Sequence, residues 1–296
     1  MFIVQRRRKG EVSELKITGF ELIEKLGAGG MASVWKARQI SLDRIVAIKI
    51  LYSKLAGDPN EVKQFQAEAQ SAAKLKHPGI VQVYDANAES GFYYFVMEYI
   101  AGYTVGDWVR RKVKIPENEA LVGAEFVADA LDHAWEKEGM IHCDIKPDNI
   151  MVDSDGTVKL SDLGLSRTIT AMQNSEVAEE VMGTPAYISP EQACGEPGLD
   201  CRADIYSLGA SLYYMLTGKL MFEGENDDKV MELQVNGTVE DAGAVAPELS
   251  KEVCWLLERM LAKKKDDRHS DWKAVRHDIA RIKKGLMPAG EALPEG

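Results

Sequence analysis

Several features are scarce in these 296 residues, and each scarcity narrows the function. No stretch approaches the ~20 apolar residues that cross a bilayer. The start, "MFIVQRRRKG", places its charges after a very short apolar stretch, which is not the pattern of a secretory leader. The four cysteines (Cys143, Cys194, Cys201 and Cys254) show neither CxxC nor any metal-ligand spacing. Cys194 and Cys201 are near enough in sequence to pair, but reduced thiols in a reducing compartment fit the pattern better. Basic charge is also short. Thirty-six Lys and Arg face 47 Asp and Glu, a net charge of -11, and this argues against nucleic acid as a main partner. The two basic runs, Gln5–Gly10 and Ala262–Arg268, read as solvated faces. A soluble, cytoplasmic protein without a membrane segment is expected.

Hydrophobic residues make up 45% of the chain, enough for a full core. The length suggests two domains or lobes. From Phe20 to Met97 short β-branched or alternating runs predict strands: "FELIEKL", "SVWKARQI", "IVAIKIL", "IVQVYDA" and "FYYFVMEYI". One helix interrupts them, with Phe65, Glu68, Ala72 and Leu75 at helical spacing and Pro78 just beyond its end. After "AGYTVGD" helices dominate. Ala120, Ala124, Val127, Leu131 and Trp135 trace one apolar stripe; Ile205, Leu208, Leu212 and Leu216 trace another. Between them "NIMVDSDGTVKLSD" predicts a hairpin turning at Asp155-Gly156. There is no internal repeat. A small sheet-rich lobe joined to a larger helical lobe predicts a cleft, where ligands usually bind.

Three stretches carry polar residues in costly places. In "EKLGAGGMASVWKA", Gly27 and Gly29 allow close backbone approach to a ligand and offer N–H groups to phosphate, although glycine-rich turns are common. In "VAIK", Lys49 lies on an otherwise apolar strand. Glu68 shares a helical face with Phe65, Ala72 and Leu75, where a carboxylate needs a counter-charge, and Lys49 is the obvious partner. In "GMIHCDIKPDNIMV", His142, Asp144, Lys146, Asp148 and Asn149 lie between oily flanks, a burial that is expensive unless each group is paired.

Taken in order, the glycine loop, Lys49, Glu68, "HCDIKPDN" and "SDLGLS" resemble the eukaryotic-like serine/threonine protein kinases, in a bacterial-type member, over about Phe20 to Lys284. The resemblance implies an α+β bilobal protein-kinase fold. Its parts would be an N-terminal extension (1–19), a small antiparallel-sheet N-lobe with one main helix (20–98), a hinge (99–104), a larger helical C-lobe (105–284) and a loose tail or linker (285–296). It implies ATP and Mg²⁺ as cofactors and Ser/Thr-bearing proteins as substrates. Asp144 would accept or orient the proton of the substrate hydroxyl, and Lys146 would touch the transferred phosphate. Asn149 and Asp162 would hold Mg²⁺, and Lys49, positioned by Glu68, would contact the α/β-phosphates. Leu26, Gly27, Ala28, Gly29, Gly30, Val34, Ala47, Met97, Glu98 and Ile100 would complete the ATP site. "GTPAYISPE" resembles the substrate-docking loop, with Thr184 near Asp144 and Lys146; Ser166, Thr168, Thr170 and Ser175 lie on the activation segment. His142, Asp204 and the pair Glu191–Arg268 would be structural, and a transient homodimer for autophosphorylation completes the implied partners.

The pattern has three departures. Ala32 stands for the third loop glycine and Leu163 for the usual Phe of the magnesium motif. Cys143 replaces the Arg that in most relatives pairs with an activation-segment phosphate, so activity is expected to depend less on phosphorylation there. Cys143 itself reads as a packed, inert residue rather than a redox centre. A pseudokinase serving as nucleotide-binding scaffold or switch is the alternative, and a small-molecule kinase a third reading; the intact set of polar catalytic residues favours the enzyme.

Overall fold

Five short runs rich in β-branched and aromatic residues form one sheet in the computed structural model, which describes residues 16–89, 91–163, 167–168 and 183–290. They are β1 (Phe20–Ala28), β2 (Ala32–Gln39), β3 (Arg44–Leu51), β4 (Val83–Glu89) and β5 (Phe92–Glu98). Their order is β1-β2-β3-β5-β4, and every neighbouring pair is antiparallel. Alternation along the strands sorts side chains onto two faces. One face holds Trp35, Ala37, Val46, Ile48, Ile50, Tyr94 and Val96, which with Ile17 form an apolar core. The opposite face carries Val34, Ala47, Lys49, Phe95 and Met97. Helix α1 (Pro59–Lys74) packs there, with the Phe65 and Phe95 ring centroids 5.1 Å apart.

The chain divides into two compact units. Among the described residues, the first comprises those up to Gln70 together with those of Val83–Tyr99; the second comprises Ser71–Gln82 and those from Ile100 on. The expected strand from Ile80 therefore starts later, at Val83. Ile80 and Val81 instead turn to Leu160 of the second unit, through an isolated parallel bridge and a 3.0 Å backbone bond.

In the second unit, β6 (Tyr103–Thr104) and α2 (Val105–Lys112) precede α3 (Glu117–Glu138) and β7 (Met140–Ile141). The expected hairpin is β8 (Ile150–Val152) with β9 (Val158–Leu160), and β6 joins it in a three-stranded sheet. The two-residue β10 (Arg167–Thr168) pairs with β7. Helices follow at α4 (Pro190–Ala193), α5 (Cys201–Thr217), α6 (Asp227–Asn236), α7 (Ala242–Val245), α8 (Lys251–Met260) and α9 (Trp272–Ile282). The α3 stripe is buried at Ala120, Ala124, Val127 and Leu131, with Trp135 partly so. Gly139 ends that helix in the left-handed conformation at φ +57°, which favours glycine.

On α5 the second stripe, Ile205, Leu208, Leu212 and Leu216, is at most 1% exposed. Each such side chain contributes about 1.5–3 kcal/mol on leaving water. This helix is the central post of the unit, touching α3, α8 and α9. The last described residues, expected to be loose, are docked: Asp278 and Arg259 hold the N–H and C=O of Ala289 at 2.7 Å each. Among the described residues no helix is long and apolar enough to cross a membrane.

Candidate active site

In the first unit, strand register gathers the residues expected to meet a nucleotide. Gly27 lies opposite Val34, Val34 opposite Lys49, and Ala47 opposite Met97. Cross-strand partners share a face, so this group lines the side on which α1 packs. Lys49 Nζ donates to Glu68 Oε1 at 2.6 Å, with side-chain exposures of 12% and 3%. The helical spacing that buries Glu68 also aims it at the strand lysine, as its position among apolar neighbours required.

Leu26 and Ala28 flank Gly27 on β1, and Gly29 and Gly30 form the turn into β2. A methyl group added to Gly27, Gly29 or Gly30 would meet nothing closer than 3.9 Å. The protein's own packing thus leaves room over this turn for a ligand. Ala32 is packed inward at 2% exposure, and its carbonyl accepts the Gly29 N–H at 2.9 Å. Glu98 closes β5; Ile100 begins the second unit's long segment and is 5% exposed.

In the second unit, the loop after β7 is assembled around one carboxylate. Asp144, 9% exposed, accepts the Thr184 hydroxyl on Oδ1 at 2.6 Å and Lys146 Nζ on Oδ2 at 2.6 Å. Lys146 also donates to Thr184 Oγ1 at 2.8 Å, which closes a triangle. Asn149 Nδ2 donates to the Asp144 carbonyl at 2.8 Å, so its amide oxygen is turned the other way. His142 is buried: Nδ1 accepts the Asp144 N–H at 3.3 Å, and Nε2 faces the Ser161 carbonyl at 3.3 Å. Ser161 returns its N–H to the Asn149 carbonyl at 2.9 Å and so ties the loop to the segment carrying Asp162. Asp162 is exposed, in the left-handed region at φ +63°, and Leu163 beside it is buried.

Below the loop, Asp204 of α5 accepts the N–H groups of His142 at 2.7 Å and Cys143 at 2.9 Å. These bonds stabilise the left-handed backbone of Cys143, φ +66°, a conformation that costs a non-glycine residue about 1 kcal/mol or more. Burial pushes the Asp204 carboxyl up to about 6, against the lowering effect of His142 and the two N–H groups. Cys143 packs its thiol among Ile141, Leu199 and Ala203, at 3% exposure. Farther along, Arg268 grips Glu191 through two parallel bonds of 2.7 and 2.8 Å, both side chains buried.

Two buried glutamines were not expected. Gln192 Nε2 donates to the Cys143 carbonyl at 3.1 Å, and Gln234 Nε2 to the Pro185 carbonyl at 3.0 Å. For Gln192 a signal existed: Ser189-x-x-Gln192 is a capping box. Ser166, Thr170 and Ser175 lie outside the described residues, and Thr168 is placed only by its strand pairing with Met140.

The protein kinase domain model matches residues 20–279 of this chain. The chain belongs to the protein kinase family. Among its relatives, Serine/threonine-protein kinase PknB of Mycolicibacterium smegmatis is 38% identical over 276 residues, which cover 91% of this chain and 44% of that protein. PknB of Mycobacterium leprae is 38% identical over 275 residues, again 91% of this chain and 44% of the relative. Serine/threonine-protein kinase PrkC of Bacillus subtilis is 40% identical over 215 residues, 71% of this chain and 32% of that protein. The chain thus spans less than half the length of these relatives. The kinase match contains the Lys49–Glu68 pair, the Asp144 triangle and the Glu191–Arg268 clamp.

Proposed function

We propose that this chain is the catalytic domain of an ATP- and Mg²⁺-dependent protein serine/threonine kinase that transfers the γ-phosphate of ATP to Ser or Thr hydroxyls. One observation carries the reading: a nearly buried carboxylate, Asp144, already accepts an alcohol O–H at 2.6 Å, with the Lys146 ammonium 2.6 Å from its other oxygen. An attacking hydroxyl needs that acceptor, and the charge leaving with the phosphoryl group needs that cation.

Within this reading Asp144 orients the substrate hydroxyl and takes its proton, while Lys146 steadies the transferred group. Lys49, fixed by Glu68, meets the α/β-phosphates beneath the backbone of Gly27–Gly30, where the open space over the turn fits them. Leu26, Val34, Ala47 and Met97 would enclose the adenine, with backbone groups of Glu98 and Ile100 bonding its edge. Asn149 and Asp162 would hold Mg²⁺, whose charge would offset that of the triphosphate. Their oxygen donors suit a hard cation that keeps water and phosphate oxygens as further ligands. Thr184 marks where the protein substrate lies. We place the domain in the cytoplasm, where ATP and reduced thiols coexist, and the acidic balance argues against nucleic acid as partner. A transient homodimer would serve phosphorylation of the Ser166–Ser175 segment.

The test is incubation with labelled ATP, Mg²⁺ and a generic protein substrate, wild type beside Asp144→Asn and Lys49→Met. Transfer by the wild type with a loss of about 10²-fold or more in both variants is expected. Equal background in all three would favour a scaffold.

A further inference from the structure

Helix α6 buries a glutamine where an apolar side chain would be expected: Gln234 is 0% exposed. An amide is buried at such depth only if its groups are paired, and each partner here is informative. Nε2 donates to the Pro185 carbonyl at 3.0 Å, and Oε1 accepts the Tyr206 hydroxyl of α5 at 2.7 Å. The α6 end is itself pinned, because Lys263 Nζ donates to the Gln234 carbonyl at 2.7 Å while lying 4.5 Å from the Phe222 ring centroid. Gln234 therefore relays a fixed helix end to Pro185, the residue after Thr184.

Gln192 performs the matching task on the other side. Its Oε1 accepts the Ser189 hydroxyl at 2.9 Å, and its Nε2 reaches the Cys143 carbonyl at 3.1 Å. That carbonyl has no room to spare: a methyl added to Gly183, at φ +130°, would lie 3.0 Å from it. The loop between the two glutamines is also held by the Thr184 bonds to Asp144 and Lys146 and by its own turn, in which Tyr187 and Ile188 donate to the Thr184 carbonyl at 2.9 and 3.1 Å.

We propose that Gln234 and Gln192 are positioning residues for the protein substrate. The Gln234 amide fastens Pro185 to α6, and the Gln192 amide fastens Ser189, the residue after Ile188, to the Cys143 carbonyl beside Asp144; together they fix the seat of the substrate segment adjoining the accepting hydroxyl. This rests on the kinase reading and deepens it. Neither amide touches reacting atoms; each acts through the loop it holds.

Gln234→Met tests the effect, since it keeps the side-chain length, removes the donor to Pro185 and buries no charge. Gln192→Met does the same at Cys143. In each variant the KM for a peptide substrate should rise about tenfold while the KM for ATP stays within twofold. Amide hydrogen exchange at Tyr187 and Ile188 should quicken about tenfold, with α8 amides unchanged. Should Gln234→Met not fold, Tyr206→Phe removes the hydroxyl that orients the amide and should shift the same readouts more weakly. Unchanged exchange at Tyr187 and Ile188, or equal increases in both KM values, would overturn the proposal. If the wild type transfers no phosphate at all, the kinase reading fails instead, and the exchange measurement still decides whether the glutamines hold the loop.

Discussion

Thr184 donates its hydroxyl to Asp144 Oδ1 across 2.6 Å. The bond joins the Thr184 loop to the carboxylate proposed as proton acceptor, and Lys146 spans both. A hydrogen bond to a charged group contributes about 1.5–3 kcal/mol. Thr184→Val should therefore lower kcat about ten- to a hundredfold, whereas Thr184→Ser, which keeps the hydroxyl, should stay within a few-fold. The comparison is made at saturating ATP and peptide. Equal kcat in both variants would show that the hydroxyl does not matter.

Arg268 and Glu191 make a second, larger commitment. Both are buried, and the arginine also donates to the carbonyls of Ala262, Arg202 and Lys263. Removing one partner strands the other charge in the interior. Arg268→Met should cost about 3–5 kcal/mol in urea unfolding. The double change Arg268→Met with Glu191→Met should recover part of that loss, because it leaves no orphan carboxylate. A double variant no more stable than the single one would contradict this account.

Asp204 sets a pH dependence whose sign follows from its burial. Its carboxyl titrates at about 6 in the folded protein against 3.8 as the ordinary value. Between those two pH values the folded state holds a proton that the unfolded chain has released. The contribution to stability is therefore complete below about 3.8 and is lost as pH rises through about 6. The stability of wild type relative to Asp204→Asn should fall by about 2 kcal/mol between pH 4 and pH 7, at ~1.4 kcal/mol per unit. Denaturant titrations of both proteins across that range measure it; a flat or rising difference would reverse the sign.

What the sequence revealed, and what it hid, follows from the range of each interaction. Alternation named β1, β2, β3 and β5, because those strands are long enough to show a period. The two-residue β6, β7 and β10 offer none. Glu68 was legible because a carboxylate on an apolar helical stripe demands a cation, and Lys49 was at hand. By contrast, nothing local couples Asp204 to His142, 62 positions away; only the kinase resemblance linked them. Gln234 was invisible because a glutamine on a helix reads as surface, and its buried partners come from Pro185 and Tyr206. The docking of Ala289 was hidden for the same reason, since Asp278 and Arg259 lie on two other helices.

Cys143 supplies no fixed positive charge at the position before Asp144, and its thiol is packed against Leu199 and Ala203. Phosphate on the activation segment would find no charge-assisted partner there. Replacing Ser166, Thr168, Thr170 and Ser175 together by Ala should leave peptide phosphorylation within about threefold of wild type at equal ATP. A loss of several orders of magnitude would mean that another cation reads the phosphate.

Burial also ranks the four thiols. Cys194 is exposed, Cys254 partly exposed, and Cys143 and Cys201 buried. Burial pushes the Cys201 thiol up to about 12 and raises that of Cys254 as well, which suppresses the reactive thiolate in both. A maleimide added to native protein at neutral pH should therefore modify Cys194 first and Cys254 slowly, leaving Cys143 and Cys201 until denaturant is added. Mass spectrometry of timed samples reads the order directly. Rapid native labelling of Cys143 would place its thiol in contact with solvent beside Lys146 and restore the redox role that its packing argues against.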